Sequence, residues 1–285
     1  MGCHAVDVIK PTEVQKPEVD RYGFAIGEYE LEYRKDIIKW HSLIYAPSNH
    51  PDNAVLPLIV HIPGIGEIGP DISRQFRQRA LFDLITSEKF QKRHPCCFVS
   101  LSPPDDPGSF FGQVGRLPCA VQRQAEAVVR FAIQIIAVRW KIEVDTNRIY
   151  TTGFSFGGEA AYMLAVGYPE IFAASVPIAS VAPIPELIDK TRPGNFWHIC
   201  NEGDWAGHGA ALEAVKELRD RVNRLGGDFR ISLYPGKDGH DAWTTAWQEE
   251  AVWDWMFSKT LAPKKKSGGG PVPSRRTRGL PNSRQ

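Results

Sequence analysis

Residues 147–168 read NRIYTTGFSFGGEAAYMLAVGY. The run NRIYTT is short and largely apolar or β-branched, as in a buried strand. From Glu159 onward, Glu-Ala-Ala-Tyr-Met-Leu favours helix. Between them, Gly153-Phe154-Ser155-Phe156-Gly157 fits G-x-S-x-G, a sharp strand–turn–helix elbow that lifts one serine clear of the chain. Such a turn strains the serine backbone. Side chains at Gly153 and Gly157 would collide with a neighbouring strand or helix, so glycine is required at both. The turn also aims the Phe156 N–H outward, at the positive end of the next helix. Ser155 is the candidate nucleophile, and the Phe156 N–H a candidate donor to an oxyanion.

On either side of this stretch the pattern repeats. Short apolar runs occur at 56–62 (LPLIVHI), 96–101 (CCFVSL), 173–179 (AASVPIA), 195–200 (NFWHIC) and 229–234 (FRISLY). Runs of this length suit strands buried on both faces of a parallel sheet. The segments between them have helical spacing. Ile72, Phe76, Ala80 and Leu84 form one stripe. Val121, Ala125, Val128, Ala132 and Ile135 form another after Pro118. Val215, Leu218, Val222 and Leu225 form a third, stopped by Gly226-Gly227. A last helix is expected from about Asp241 to Lys259. Two earlier runs, Tyr29 to Tyr33 and Ile37 to Ala46, predict an antiparallel pair leading into the sheet. The expected class is α/β: a mostly parallel central sheet flanked by helices on both faces.

A serine is a weak nucleophile without a positioned base. On an elbow of this kind the partners follow in the order acid, then histidine. His240 stands in GKDGHDAW (236–243), a glycine-rich loop just past FRISLY, where the base is expected. His208 lies early in a helical stretch and is a poor position for it. The run NFWHIC ends in Asn201-Glu202-Gly203-Asp204. Asp204 is the preferred acid, with Glu202 as its competitor. Asp238 and Asp241 neighbour the histidine but read as turn or cap residues. A second oxyanion donor is expected after LPLIVHI, in PGIGEIG (63–69), where the Ile65 N–H is the candidate. This loop lacks both the Walker Lys-Ser/Thr and G-x-G-x-x-G spacing, which argues against nucleotide binding.

These segments resemble the α/β-hydrolase superfamily. The resemblance is to its phospholipase/carboxylesterase branch, with feruloyl-esterase, polyhydroxybutyrate-depolymerase and dienelactone-hydrolase-like proteins. Prolyl-oligopeptidase catalytic domains are broader relatives. Four segments carry it: LPLIVHIPGIGEIG, DTNRIYTTGFSFGGEAAYMLAVGYPEIFAASVPIAS, WHICNEGDW and ISLYPGKDGHDAW, within roughly residues 56–257. The resemblance implies a triad of Ser155, Asp204 and His240, oxyanion amides from Ile65 and Phe156, no cofactor, no metal and no large lid. Two positions depart from the pattern. Pro63-Gly64 stands where the branch has His-Gly, and Cys200-Asn201 stands where it has a second His-Gly. The expected activity is hydrolysis of a small-molecule carboxylic ester with a small or aromatic acyl group. Phe110, Phe111, Phe154, Phe156, Trp205 and Trp243 are candidates to line such a site. A peptidase or amidase of prolyl-oligopeptidase type and a catalytically silent binding protein are the alternatives.

The chain has 285 residues and a net charge of +1. Residues 263–285 carry seven basic residues and no acid, so the body up to Ala262 stands at −6. An acidic body excludes a nucleic-acid binder as the expected class. The expected organisation is a loose leader (1–20), a hydrolase domain (21–262) and a disordered basic tail (263–285). A polyanion or membrane-surface role for the tail is the minor alternative. The five cysteines are odd in number and lack metal-ligand spacing. The opening MGCHAV has Val6 where myristoylation needs Ser or Thr, and no apolar run is long enough for a signal core or membrane span. A cytoplasmic protein is expected. The sequence gives no oligomeric state.

Overall fold

The computed structural model describes residues 7–13, 23–33, 36–51, 53–103, 119–181 and 194–262. The expected tail, most of the expected leader, Pro118, Phe110 and Phe111 lie outside them. Each apolar run forms a strand. LPLIVHI lies in β4 (Val55–Ile62), where only Val55 is exposed. CCFVSL gives β5 (Cys97–Ser102), buried throughout. NRIYTT falls within β6 (Glu143–Phe154), and the last three runs give β7 (Phe172–Ile178), β8 (Asn195–Asn201) and β9 (Asp228–Tyr234). The expected antiparallel pair is β2 (Ala25–Tyr33) and β3 (Asp36–Tyr45).

These strands form one sheet in the order β1-β2-β3-β5-β4-β6-β7-β8-β9. From β5 through β9 every pairing is parallel. The first strand, β1 (Asp7–Glu13), differs from the sequence reading, which put these residues in the loose leader. It pairs antiparallel with β2 at the sheet edge. Pro11 is compatible with an edge strand, where an absent N–H costs no ladder bond, and it disguised the strand in sequence.

Helices cover both faces. On one face lie α3 (Cys119–Trp140), α4 (Phe156–Gly167) and α5 (Gly209–Arg224), through Val128, Ala132, Tyr162, Leu164, Val215 and Leu218. On the other lie α1 (Arg79–Thr86), α2 (Glu88–Arg93) and the pair α6 (Trp243–Ala246) and α7 (Glu250–Phe257), through Phe82, Ile85, Phe90, Trp247 and Trp253. The single helix expected at 241–259 is therefore two. At the break, the Trp247 carbonyl accepts the Trp253 indole N–H at 2.8 Å. The stripe from Ile72 to Leu84 also divides: Ile72–Gln78 is 3₁₀ and only Arg79 onward is α. A 3₁₀ turn eclipses residues three apart, which turns Gln75 and Gln78 together into the interior. Among the described residues no helix is long and apolar enough to cross a membrane.

Two histidines, His61 on β4 and His198 on β8, are fully buried. Burial lowers both to a pKa of about 3. Each is neutral in the fold at pH 5 but takes up a proton in the unfolded chain, whose histidines titrate near 6.5. Unfolding therefore binds protons between about pH 6.5 and 3, and stability falls as pH drops through that window. We expect urea midpoints to be level from pH 7 to 8. Below about pH 6.5 they should decline, each histidine contributing a slope approaching about 1.4 kcal/mol per pH unit. The decline should be shallower in His198→Asn. An equal slope in that variant would assign the acid sensitivity elsewhere.

Candidate active site

The elbow forms as the sequence requires. Ser155 sits at φ 56° and ψ −122°, a strained region for a residue with a side chain. Its N–H donates to the Ile178 carbonyl of β7 at 2.8 Å. Its own carbonyl accepts the Glu159 N–H at 3.1 Å and starts α4. The glycines leave no space around this turn. A Cβ on Gly153 would lie 2.3 Å from the Gly157 carbonyl oxygen, and one on Gly158 would lie 2.8 Å from that of Ile178.

Three side chains meet above the carboxyl ends of β6, β8 and β9. His240 Nε2 lies 2.8 Å from Ser155 Oγ. His240 Nδ1 lies 2.8 Å from Asp204 Oδ2. Asp204 is only 2% exposed, and its other oxygen accepts the Ala206 N–H at 3.1 Å. A buried carboxylate that accepts at Nδ1 keeps that proton on Nδ1 and leaves Nε2 free to accept from the serine hydroxyl. The competitor, Glu202, faces away: its carboxylate accepts the Gly236 N–H at 3.4 Å. His208 turns Nδ1 to the Asp204 carbonyl oxygen at 2.5 Å, away from the serine.

Backbone bonds interlock the acid loop and the histidine loop. Glu202 N–H donates to the Tyr234 carbonyl at 3.0 Å, and Gly203 N–H to that of Lys237 at 2.9 Å. Sequence reasoning missed Asn201, noted only as a departure from a family pattern. Its buried amide donates to the Gly239 carbonyl at 2.6 Å and to Asp241 Oδ1 at 2.8 Å, so it grips the loop on both sides of His240. We expect Asn201→Ala to lower kcat about tenfold with little change in KM, because the ring loses its fixed direction. Turnover per site titrated with a fluorophosphonate checks this; an unchanged kcat would leave Asn201 no part in aiming His240.

The loop after β4 lies against the elbow. Ile62 pairs with Gly153, and a Cβ on Gly157 would meet the carbonyl oxygens of Ile62 and Pro63 at 2.0 and 2.6 Å. Ile65 opens a short 3₁₀ turn (Ile65–Glu67), and Phe156 is the first residue of α4. The leading N–H groups of such turns have no partner within the turn. Aromatic rings surround the histidine. Phe154 lies 5.0 Å from the His240 ring and Trp205 5.3 Å, and Trp243 stands 5.8 Å from Phe154. Trp205 is 51% exposed and Ile65 57%. Phe156 instead packs against the core on the α4 face.

Other chemistry is less well supplied. Among the described residues no three His, Cys, Asp or Glu side chains are grouped as a metal site. Burial pushes the thiols of Cys97 and Cys200 up to about 12, so neither competes as a nucleophile. A groove of about 730 Å³ lined by Tyr45, His50, Val55 and Lys92 lies at the amino end of β4, the opposite end of the sheet from Ser155.

No family model matches the chain, and no curated protein matches it. Solved structures do. One described as a thermostable esterase superposes on 82% of this chain with a TM-score of 0.66 at 21% identity, and the chain spans 63% of its length. A ferulic acid esterase gives a TM-score of 0.57 at 12% identity, covering 82% of this chain and 98% of the other. The S-formylglutathione hydrolase FrmB of Staphylococcus aureus gives 0.54 at 12% identity, covering 89% of this chain and 100% of the other. Together with the strand order and the serine elbow after β6, these likenesses show that the chain has the α/β-hydrolase fold.

Proposed function

We propose that this protein is a serine hydrolase that cleaves carboxylic esters of small or aromatic acyl groups through an acyl-enzyme. The observation that carries the reading is the unbroken row Ser155 Oγ, His240 and Asp204, with both links at 2.8 Å, on a strained elbow. Ser155 Oγ attacks the ester carbonyl carbon while its proton passes to His240 Nε2. The carbonyl oxygen becomes an oxyanion, held by the N–H groups of Ile65 and Phe156. Collapse of the adduct expels the alcohol, which takes the proton back from Nε2. Water then repeats the sequence, releasing the acid and restoring Ser155. Asp204 accepts from His240 Nδ1, orienting the ring and stabilising the imidazolium.

The acyl preference rests on the apolar side chains around His240. Phe154, Trp205 and Trp243, with exposed Ile65, offer flat and aliphatic surface beside the nucleophile. The solved esterases with this fold support ester chemistry. The test is fluorophosphonate labelling of the purified chain, with turnover of p-nitrophenyl acetate, p-nitrophenyl benzoate, a long-chain p-nitrophenyl ester and a p-nitroanilide. We expect labelling, good turnover of the first two esters and little of the others. A folded protein that neither labels nor turns over any of them would overturn the reading and leave a binding protein on a hydrolase fold.

A further inference from the structure

Behind the loop after β4 runs a row of buried polar side chains that the proposed reaction does not use. His61, Ser100, Gln75 and Gln78 are fully buried. His61 Nδ1 lies 2.7 Å from Ser100 Oγ, and His61 Nε2 lies 3.0 Å from Gln78 Oε1. Ser100 Oγ also bonds to the Gln75 amide. At the other end, the Gln78 amide nitrogen donates to Glu67 Oε2. The same oxygen accepts the Gly64 N–H at 3.1 Å.

The donors can be followed along the row. Gln78 turns its NH₂ to Glu67 Oε2, which accepts, and its oxygen to His61. His61 Nε2 then carries the ring's single proton, and bare Nδ1 accepts from the Ser100 hydroxyl. Ser100 Oγ must in turn accept, so the Gln75 amide, which stands with its oxygen toward Ser100, has to be turned to face it with its nitrogen. That orientation also gives Gln75 Nε2 the partner it lacks in the opposite one. Every donor then points toward Glu67. Such a chain strengthens each of its bonds and fixes the position of the carboxylate at its end.

That position matters for the loop. Pro63 has no N–H. The Gly64 N–H is taken by Glu67. The Glu67 N–H closes the turn on the Gly64 carbonyl at 3.0 Å. The far side of the turn is tied as well: the Arg77 guanidinium donates to the Gly66 carbonyl at 3.2 Å, and the Gly69 N–H to Ser102 Oγ at 3.0 Å. Among the described residues, the first N–H after β4 without a hydrogen-bond partner is therefore that of Ile65.

We propose that Glu67 is a positioning residue for oxyanion stabilisation: by holding the Gly64 N–H inward, its carboxylate directs the Ile65 N–H at the substrate oxygen. This rests on the serine-hydrolase reading above. The test compares wild type, Glu67→Ala and Glu67→Gln for p-nitrophenyl acetate turnover per fluorophosphonate-titrated site, with thermal unfolding alongside. Both bonds end on one oxygen, which the amide oxygen of glutamine can occupy. We therefore expect Glu67→Gln to stay within about threefold of wild type, whereas Glu67→Ala folds, keeps its KM and loses about 10- to 100-fold in kcat. An unchanged kcat in Glu67→Ala would overturn the proposal. So would a variant that fails to fold, or one whose kcat falls no further than its KM rises, because Glu67 would then serve stability or ground-state binding. A wild type that does not label fails the hydrolase reading itself, a result separate from any of these.

Discussion

In Ser155→Ala, fluorophosphonate labelling is expected to vanish and p-nitrophenyl acetate turnover to fall by about 10⁴-fold or more, with the melting temperature unchanged. The substitution removes only Oγ, and alanine occupies the same strained backbone as serine. Its informative companion is Asp204→Asn. An amide there can present NH₂ to His240 Nδ1, which drives the ring proton to Nε2. Nε2 then meets the serine hydroxyl as a donor and can no longer take its proton. The expected loss is again about 10⁴-fold in kcat, with the fold intact. Glu202→Gln should stay within about threefold of wild type, since among the described residues its carboxylate accepts only an exposed turn N–H. A large loss in Glu202→Gln together with an active Asp204→Asn would reverse the assignment of the acid.

What could be read from the sequence divides by the range of the forces involved. The buried strands were legible because burial on both faces requires continuous apolar runs, and each run in the chain became one. The elbow was legible because its strain admits only glycine at set offsets from Ser155. His240 followed from a glycine-rich loop after the last strand. Asp204 was preferred with Glu202 kept as its competitor, because two residues of offset at a strand end decide which carboxylate turns inward. The edge strand β1 was hidden by Pro11, which would be a breaker anywhere but an edge. The polar row was invisible for another reason. His61 and Ser100 stand 39 residues apart, and Glu67 and Gln78 stand 11 apart. No periodicity links such positions. The available signal was one histidine in an otherwise apolar run and two glutamines three residues apart on a stripe that should have faced the core.

Gly157→Ala tests the elbow from the side of stability, and here the simplest expectation has the wrong sign. Gly157 lies in the first turn of α4, and helix propensity alone would make alanine stabilising there by up to about 1 kcal/mol. Packing opposes it. The new Cβ would lie 2.0 Å from the Ile62 carbonyl oxygen, 2.7 Å from its carbonyl carbon and 2.6 Å from the Pro63 carbonyl oxygen. All three are backbone atoms at the end of β4, so no side chain can swing away. Relief requires α4 and β4 to separate, which disturbs the buried contacts of the elbow and shifts Phe156 and Ile65 relative to Ser155. We expect a loss of about 3–5 kcal/mol and a melting temperature about 10 °C lower. The remaining folded protein should label slowly with the fluorophosphonate. Gly66→Ala is the control, since among the described residues only the Arg77 guanidinium comes within 4.0 Å of its Cβ, and it should melt with wild type. If Gly157→Ala matched wild type in both melting and labelling, β4 and the elbow could not be in the contact that brings the Ile65 N–H to the serine, and the oxyanion assignment would fall with it.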